Sequence, residues 1–154
     1  MSERYDVRIR FGGRLKKICI GPLLEEIANE GLDTEWGIIN DLSGLRKHLL
    51  AAAEENRPVE YMTHESNGML DKMKDLLQNI GLSYQVELSG NDQYAPTTTV
   101  WRPGTIEGYF LTSDNKPVIL LELIQAANTE AELKKLIGEI TELAEPLPSL
   151  QLVD

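Results

Sequence analysis

Residues 63–68, which read THESNG, hold the side chains of this chain that come closest to a reactive or ligand-binding set. A histidine beside a glutamate can transfer protons near neutral pH. Hydroxyl and amide groups next to a glycine can bind an anion at a helix N-terminus. The candidate anion or ligand residues of this segment are His64, Ser66, Asn67 and Gly68. The alternative is that Ser66 only caps the following helix, with His64 and Glu65 in solvent.

The N-terminal segment is a second candidate because it is basic and has the pattern of a β-hairpin. Apolar and charged residues alternate up to Gly12 and Gly13, which suit the two positive-φ positions of a type I′ turn. The second strand would run to Ile20, with Ile18 paired across the hairpin. This register predicts Arg8 opposite Lys17, with Arg10 nearby, and such like-charge pairs are destabilising unless an anion binds. The hairpin could bind a phosphate, a nucleic acid or an acidic partner, or it could face acidic residues of its own chain.

A third candidate is the aromatic segment that begins near residue 94. It contains Tyr94, Trp101, Arg102 and Tyr109, and these residue types are enriched where proteins bind one another. Alternation assigns neither face of the strand to the core, which favours a partner interface; the alternative is that Val100 and Trp101 divide between core and surface as in any strand.

Metal-binding and nucleophilic motifs are absent from the sequence. Cys19, His48 and His64 match no zinc-ligand spacing, and there is no Gly-rich phosphate loop and no Gly-x-Ser-x-Gly motif. The sequence therefore predicts no catalytic residue, no metal site and no cofactor.

Three predicted elements would position the histidine-containing segment: a strand at 59–63, a helix at 67–80 and a strand at 82–88. Apolar residues recur three and four apart in the helix and alternate in the last strand. Ser66 is the expected N-cap, and Gly81 suits the left-handed residue that ends a helix.

The other elements follow from the same patterns. Helices are predicted at 22–31, with Pro22 first, at 43–56 with Asp41 or Ser43 as cap, and from Thr129, which has capping-box spacing to Glu132. Strands are predicted at 97–102, 106–112 and 117–120. Residues 120–127 fit either the end of a strand followed by a helical turn, which we expect, or a helix throughout. Residues 147–154 are either an edge strand or a loose tail.

This order of elements predicts one α+β domain over residues 1–154. We expect a mostly antiparallel sheet of about five to seven strands, with three or four helices packed mainly on one side. With a 42% apolar share, a chain of this length can bury one core without disulfides or metal.

Charge is unevenly distributed along the chain. The formal net charge is −10, yet residues 1–20 hold six basic and two acidic side chains, against 9 basic and 23 acidic in the remainder. An acidic body repels nucleic-acid phosphates, so a nucleic-acid partner is not expected. The single cysteine and the lack of a signal-like or membrane-spanning segment favour the cytoplasm and no membrane partner.

Together these patterns favour a small acidic cytosolic, non-catalytic binding protein: an adaptor, inhibitor or immunity-type factor that contacts another protein, in particular a basic one. The alternative is a small-molecule or nucleotide binder, with or without enzymatic activity, that combines the helix N-terminus at 64–68 with Arg8, Arg10 or Lys17. Homo-oligomerisation is left open.

Overall fold

The computed structural model describes residues 5–35, 41–66, 70–89, 97–104, 108–111, 116–118, 121–143 and 145–154. Its helices are α1 (Ile20–Asn29), α2 (Leu42–Glu54), α3 (Asp71–Ile80), α4 (Leu121–Ala126) and α5 (Glu130–Leu143). Its strands are β1 (Tyr5–Lys16), β2 (Val59–Ser66), β3 (Ser83–Leu88), β4 (Thr97–Trp101), β5 (Gly108–Leu111), β6 (Lys116–Val118) and β7 (Leu150–Val153). A 3-10 turn (Lys17–Cys19) joins β1 to α1.

The strands form one seven-stranded sheet in the order β2–β1–β3–β4–β5–β6, and each pair along this path is antiparallel. The last strand, β7, pairs with β1 in parallel, so the final residues are held in the sheet. The predicted α+β class and mostly antiparallel sheet are confirmed. The described residues contain five α-helices where three or four were expected, partly because 121–126 form a short helix of their own.

The predicted N-terminal hairpin is wrong. Gly12 and Gly13 do not turn the chain, because β1 runs through both glycines to Lys16. A Cβ atom at Gly12 would overlap the backbone of Pro148, and Gly13, with a φ of +121°, pairs with Leu150 in β7. Gly12 therefore permits a close crossing of two chain segments, and Gly13 supplies a positive φ within the strand, instead of the two forming a type I′ turn.

Two helix starts also differ from the sequence prediction. The first helix begins at Ile20, two residues before Pro22, in a stretch that was expected to be strand. The third helix begins at Asp71. Ser66 is the last residue of β2 and does not cap this helix. The predicted end of this helix is confirmed, because Gly81 is left-handed with a φ of 88°.

The sheet has one apolar face and one mixed face. Side chains such as Ile9, Tyr61 and Tyr84 are fully buried on the apolar face, where α1, α2 and α3 pack against them. On the opposite face, α5 covers the sheet at β4, where Ile140 contacts the cluster around Val100. Three helices thus lie on one side, as predicted, and the β1–β2–β3 region of the other face carries charged side chains.

Candidate functional site

The predicted basic residues of β1 lie among carboxylates. Arg8 and Arg10 project from the mixed face, between Glu60 of β2 and Glu87 of β3. The Arg10 guanidinium lies 2.9 Å from Glu87 Oε1 and 3.4 Å from Glu60 Oε1. Arg8 lies 3.4 Å from Glu60 and 3.8 Å from Glu87. We call these four side chains the charge quartet.

The charge quartet corrects the expected role of the two arginines. Arg8 does not face Lys17; it pairs in register with Met62 and Glu87 of the neighbouring strands. The like charges of Arg8 and Arg10 are balanced by two carboxylates, so no added anion is required to relieve their repulsion. The four side chains are 29–40% exposed, and the quartet carries no net charge.

Lys17 is separated from the two arginines. It follows the end of β1 that is distant from Ser66, and its ammonium group lies 3.2 Å from a carboxylate oxygen of Asp154. Lys17 and the histidine-containing segment therefore lie at opposite ends of β1, and they do not form one composite site.

The histidine-containing segment belongs to a strand. His64 and Ser66 lie in β2, where the pairing with β1 shifts register between Tyr5 and Val7, as at a β-bulge. Their side chains, together with Asn67 and Gly68, lie outside the described residues. The first turn of α3 carries its own carboxylate, Asp71, near the positive end of the helix dipole. The anion-binding role of this segment stays a prediction.

The predicted interface residues divide between packing and positions outside the described part. Trp101 is partly buried and stacks on Tyr84, with ring centroids 5.8 Å apart. Arg102 is only 7% exposed, and it donates to the backbone carbonyls of Glu145 and, at 3.1 Å, Pro146. The side chain of Tyr109, on β5, and all of Tyr94 are not among the described positions.

Arg102 therefore holds the segment that follows α5 against the sheet, which is a structural role that the sequence did not reveal. Burial lowers the pKa of its guanidinium, while the nearby carboxylates of Glu142 and Glu145 act in the opposite direction. Arginine can donate to both carbonyls at once because its guanidinium carries five N–H donors.

A groove between α1 and α2 was not predicted. It has a volume of about 380 Å³ and is lined by Gly21, Leu24, Glu25, Leu42, Ser43 and Arg46. Leu42, the first residue of α2, is 47% exposed. Ile18, expected to pair across the hairpin, lies in the 3-10 turn and is 84% exposed. In the sequence, the signal for these two exposed side chains was their apolar character close to the starts of α2 and α1.

On its other side, α1 carries crowded carboxylates. Burial raises the pKa of Glu30, and the hydrogen bond and charge of Glu26, four residues earlier, raise it further. Asp71 of α3 adds to this effect, and Lys72 opposes it. We call Glu26 and Glu30 the acidic pair. Neither forms an ion pair with any described lysine or arginine.

His48, the histidine whose side chain the structure describes, makes contacts within the fold. His48 on α2 contacts the backbone carbonyl of Glu60 at 2.6 Å through Nε2, and its ring lies edge-on to Tyr61. The Tyr61 hydroxyl donates to the carbonyl of Leu45, and burial raises its pKa far above the usual value. No group of three or more metal-ligating side chains is present in the described ranges.

Comparison with known proteins identified no matching family model, no matching curated protein and no matching solved structure. In the part of the chain that the structure describes, no helix has both the length and the apolar character that crossing a membrane requires.

Proposed function

We propose that this protein is a non-catalytic binding protein that recognises a basic surface of another protein. The charge quartet carries this proposal. The two arginines that gave the N-terminal segment its basic character are balanced by Glu60 and Glu87, so they do not offset the acidic charge elsewhere on the surface.

Acidic charge is concentrated around α1. Residues 20–35 contain five acidic side chains and no lysine or arginine. Burial and then the neighbouring carboxylate of Glu26 raise the pKa of Glu30, and a positively charged partner group beside the two carboxylates would favour their charged forms. The acidic pair is therefore the part of the surface that we assign to the partner.

Electrostatic recognition of this kind has a characteristic salt dependence. Complementary charges accelerate association. Their attraction weakens as added salt screens it, with a Debye length of about 8 Å at physiological ionic strength. A partner bound through the acidic pair should therefore be basic and should dissociate at high salt.

The test is affinity capture with the immobilised protein, elution by increasing salt and identification of the retained proteins by mass spectrometry. We expect the wild-type protein to retain basic proteins that elute with salt. The Glu26→Gln/Glu30→Gln variant should not retain them. The matched control is Glu54→Gln/Glu122→Gln, which changes the net charge equally at exposed positions of α2 and α4. An acidic partner, or retention that is indifferent to salt, would contradict the proposal.

A further inference from the structure

The geometry of the α1–α2 groove points to a second copy of this chain as its occupant. In the arrangement that we infer, two copies meet across a twofold axis, so that Glu25 of each copy lies against Arg46 of the other. This inference concerns the side of α1 opposite the acidic pair, and it does not depend on the proposed basic partner.

The groove has the apolar surface that an interface requires. Leu24 is buried at its base, and Leu42 on the α2 side leaves 47% of its surface exposed. Burying the exposed part of a leucine is favourable at about 25 cal/mol per Å² of apolar area. An exposed leucine beside a groove is therefore a feature that a partner can use.

The charges at the groove select the kind of partner. Glu25 lies on α1 and Arg46 on α2, and neither forms an ion pair or a hydrogen bond with any of the described residues. A partner with a single sign of charge would satisfy one of them and repel the other. A twofold interface brings the same patch of both copies together. Glu25 of each copy can then pair with Arg46 of the other, which gives two ion pairs.

Gly21 adds a steric argument for close approach. It lies in the first turn of α1 and lines the groove, yet no atom lies within 4 Å of the position of an added Cβ. The fold of the single chain therefore does not need a glycine at this position, and alanine would favour the helix. A glycine here leaves space for the backbone or side chains of a second copy.

The test uses charge reversal and measures molar mass by analytical ultracentrifugation over a concentration series. We expect the wild-type protein to form a dimer. Glu25→Arg places two arginines opposite each other and Arg46→Glu places two glutamates opposite each other, so each variant alone should weaken the dimer at least ~10-fold. An equimolar mixture of the two variants should recover a heterodimer, because each then supplies what the other lacks.

The control is Lys47→Glu, which makes the same charge change as Arg46→Glu at the next position of α2 and should leave the dimer intact. Recovery in the mixture also shows that both variants are folded. The inference is overturned if the wild-type protein is monomeric at every concentration or if neither single variant weakens the dimer. It is also overturned if the mixture stays monomeric.

Discussion

The backbone carbonyl of Pro148 occupies the place that a Cβ atom on Gly12 would need. The next residues continue the contact, because Gly13 donates its backbone N–H to Ser149 at 3.1 Å and pairs with Leu150 in β7. The final strand is thus fixed to the middle of the sheet by the absence of a side chain on β1.

Gly12→Ala should therefore destabilise the protein and displace β7. The clashing atom belongs to the backbone, which cannot move aside as a side chain can, so we expect a loss of about 2 kcal/mol or more in the free energy of unfolding. Urea denaturation measures the loss, and hydrogen exchange at 149–153 reports the displaced strand. Gly138→Ala is the control, because an added Cβ meets open space on α5 and should be neutral or stabilising. Equal effects of the two changes would contradict this account.

Local patterns were sufficient for the elements whose signals lie within a few residues. Gly81 ends α3 as predicted, Asp41 caps α2 by accepting from Gly44, and Thr129 Oγ1 accepts from the backbone of Glu132 at the start of α5. Each of these depends on the backbone hydrogen bonds of one helix end, which neighbouring residues determine.

Features that depend on distant parts of the chain could not be predicted in the same way. A Gly-Gly pair suits a tight turn and a close crossing equally well, and only the position of Pro148 distinguishes the two. The same limit applied to the candidate site. In the sequence, Arg8 and Arg10 indicate a basic surface. The strand order, which the sequence does not reveal, places Glu60 and Glu87 beside them.

Arg102→Ala should lower stability, whereas an interface residue would affect only binding. The buried guanidinium donates to the carbonyls of Glu145 and Pro146, and charged hydrogen bonds contribute about 1.5–3 kcal/mol each. Because Glu145 and Pro146 are exposed, water can replace the lost donors in the variant, and we expect a net loss of about 2–3 kcal/mol in urea denaturation, less than the sum of the two bonds. Arg14→Ala, at an exposed position of β1, is the control and should stay within about 0.5 kcal/mol of the wild type. Unchanged stability in Arg102→Ala would return this residue to the list of interface candidates.

The contact between Arg10 and Glu87 should give a measurable coupling energy. A double-mutant cycle with Arg10→Met and Glu87→Gln isolates the pair, whose closest atoms are 2.9 Å apart. Because both side chains are partly exposed, solvent screens the interaction, and we expect a coupling of about 0.5–1 kcal/mol that decreases with added salt. The exposed pair of Glu130 and Lys134 is the control, with an expected coupling of about 0.3–0.5 kcal/mol. A coupling in the quartet that does not exceed the control would show that the quartet adds little to the fold.

Glu30 should make stability depend on pH in a direction that follows from its raised pKa. Because burial and Glu26 raise the folded-state pKa above the usual 4.5, the native state binds more protons than the unfolded state between the two values. The contribution of Glu30 to stability is therefore most favourable below pH 4.5 and decreases as the pH rises through the folded-state pKa.

Glu30→Gln removes this unfavourable contribution, since a neutral amide has no charge to desolvate beside Glu26. At neutral pH the variant should be more stable than the wild type, and below pH 4.5 the two should have the same free energy of unfolding. Thermal or urea unfolding from acid to neutral pH measures the difference. Glu54→Gln makes the same change in net charge at an exposed site on α2, and it should not reproduce the pH dependence. If Glu30→Gln instead destabilises the protein at neutral pH, the fold stabilises the charged carboxylate of Glu30. The two carboxylates of the acidic pair then do not destabilise each other as we propose.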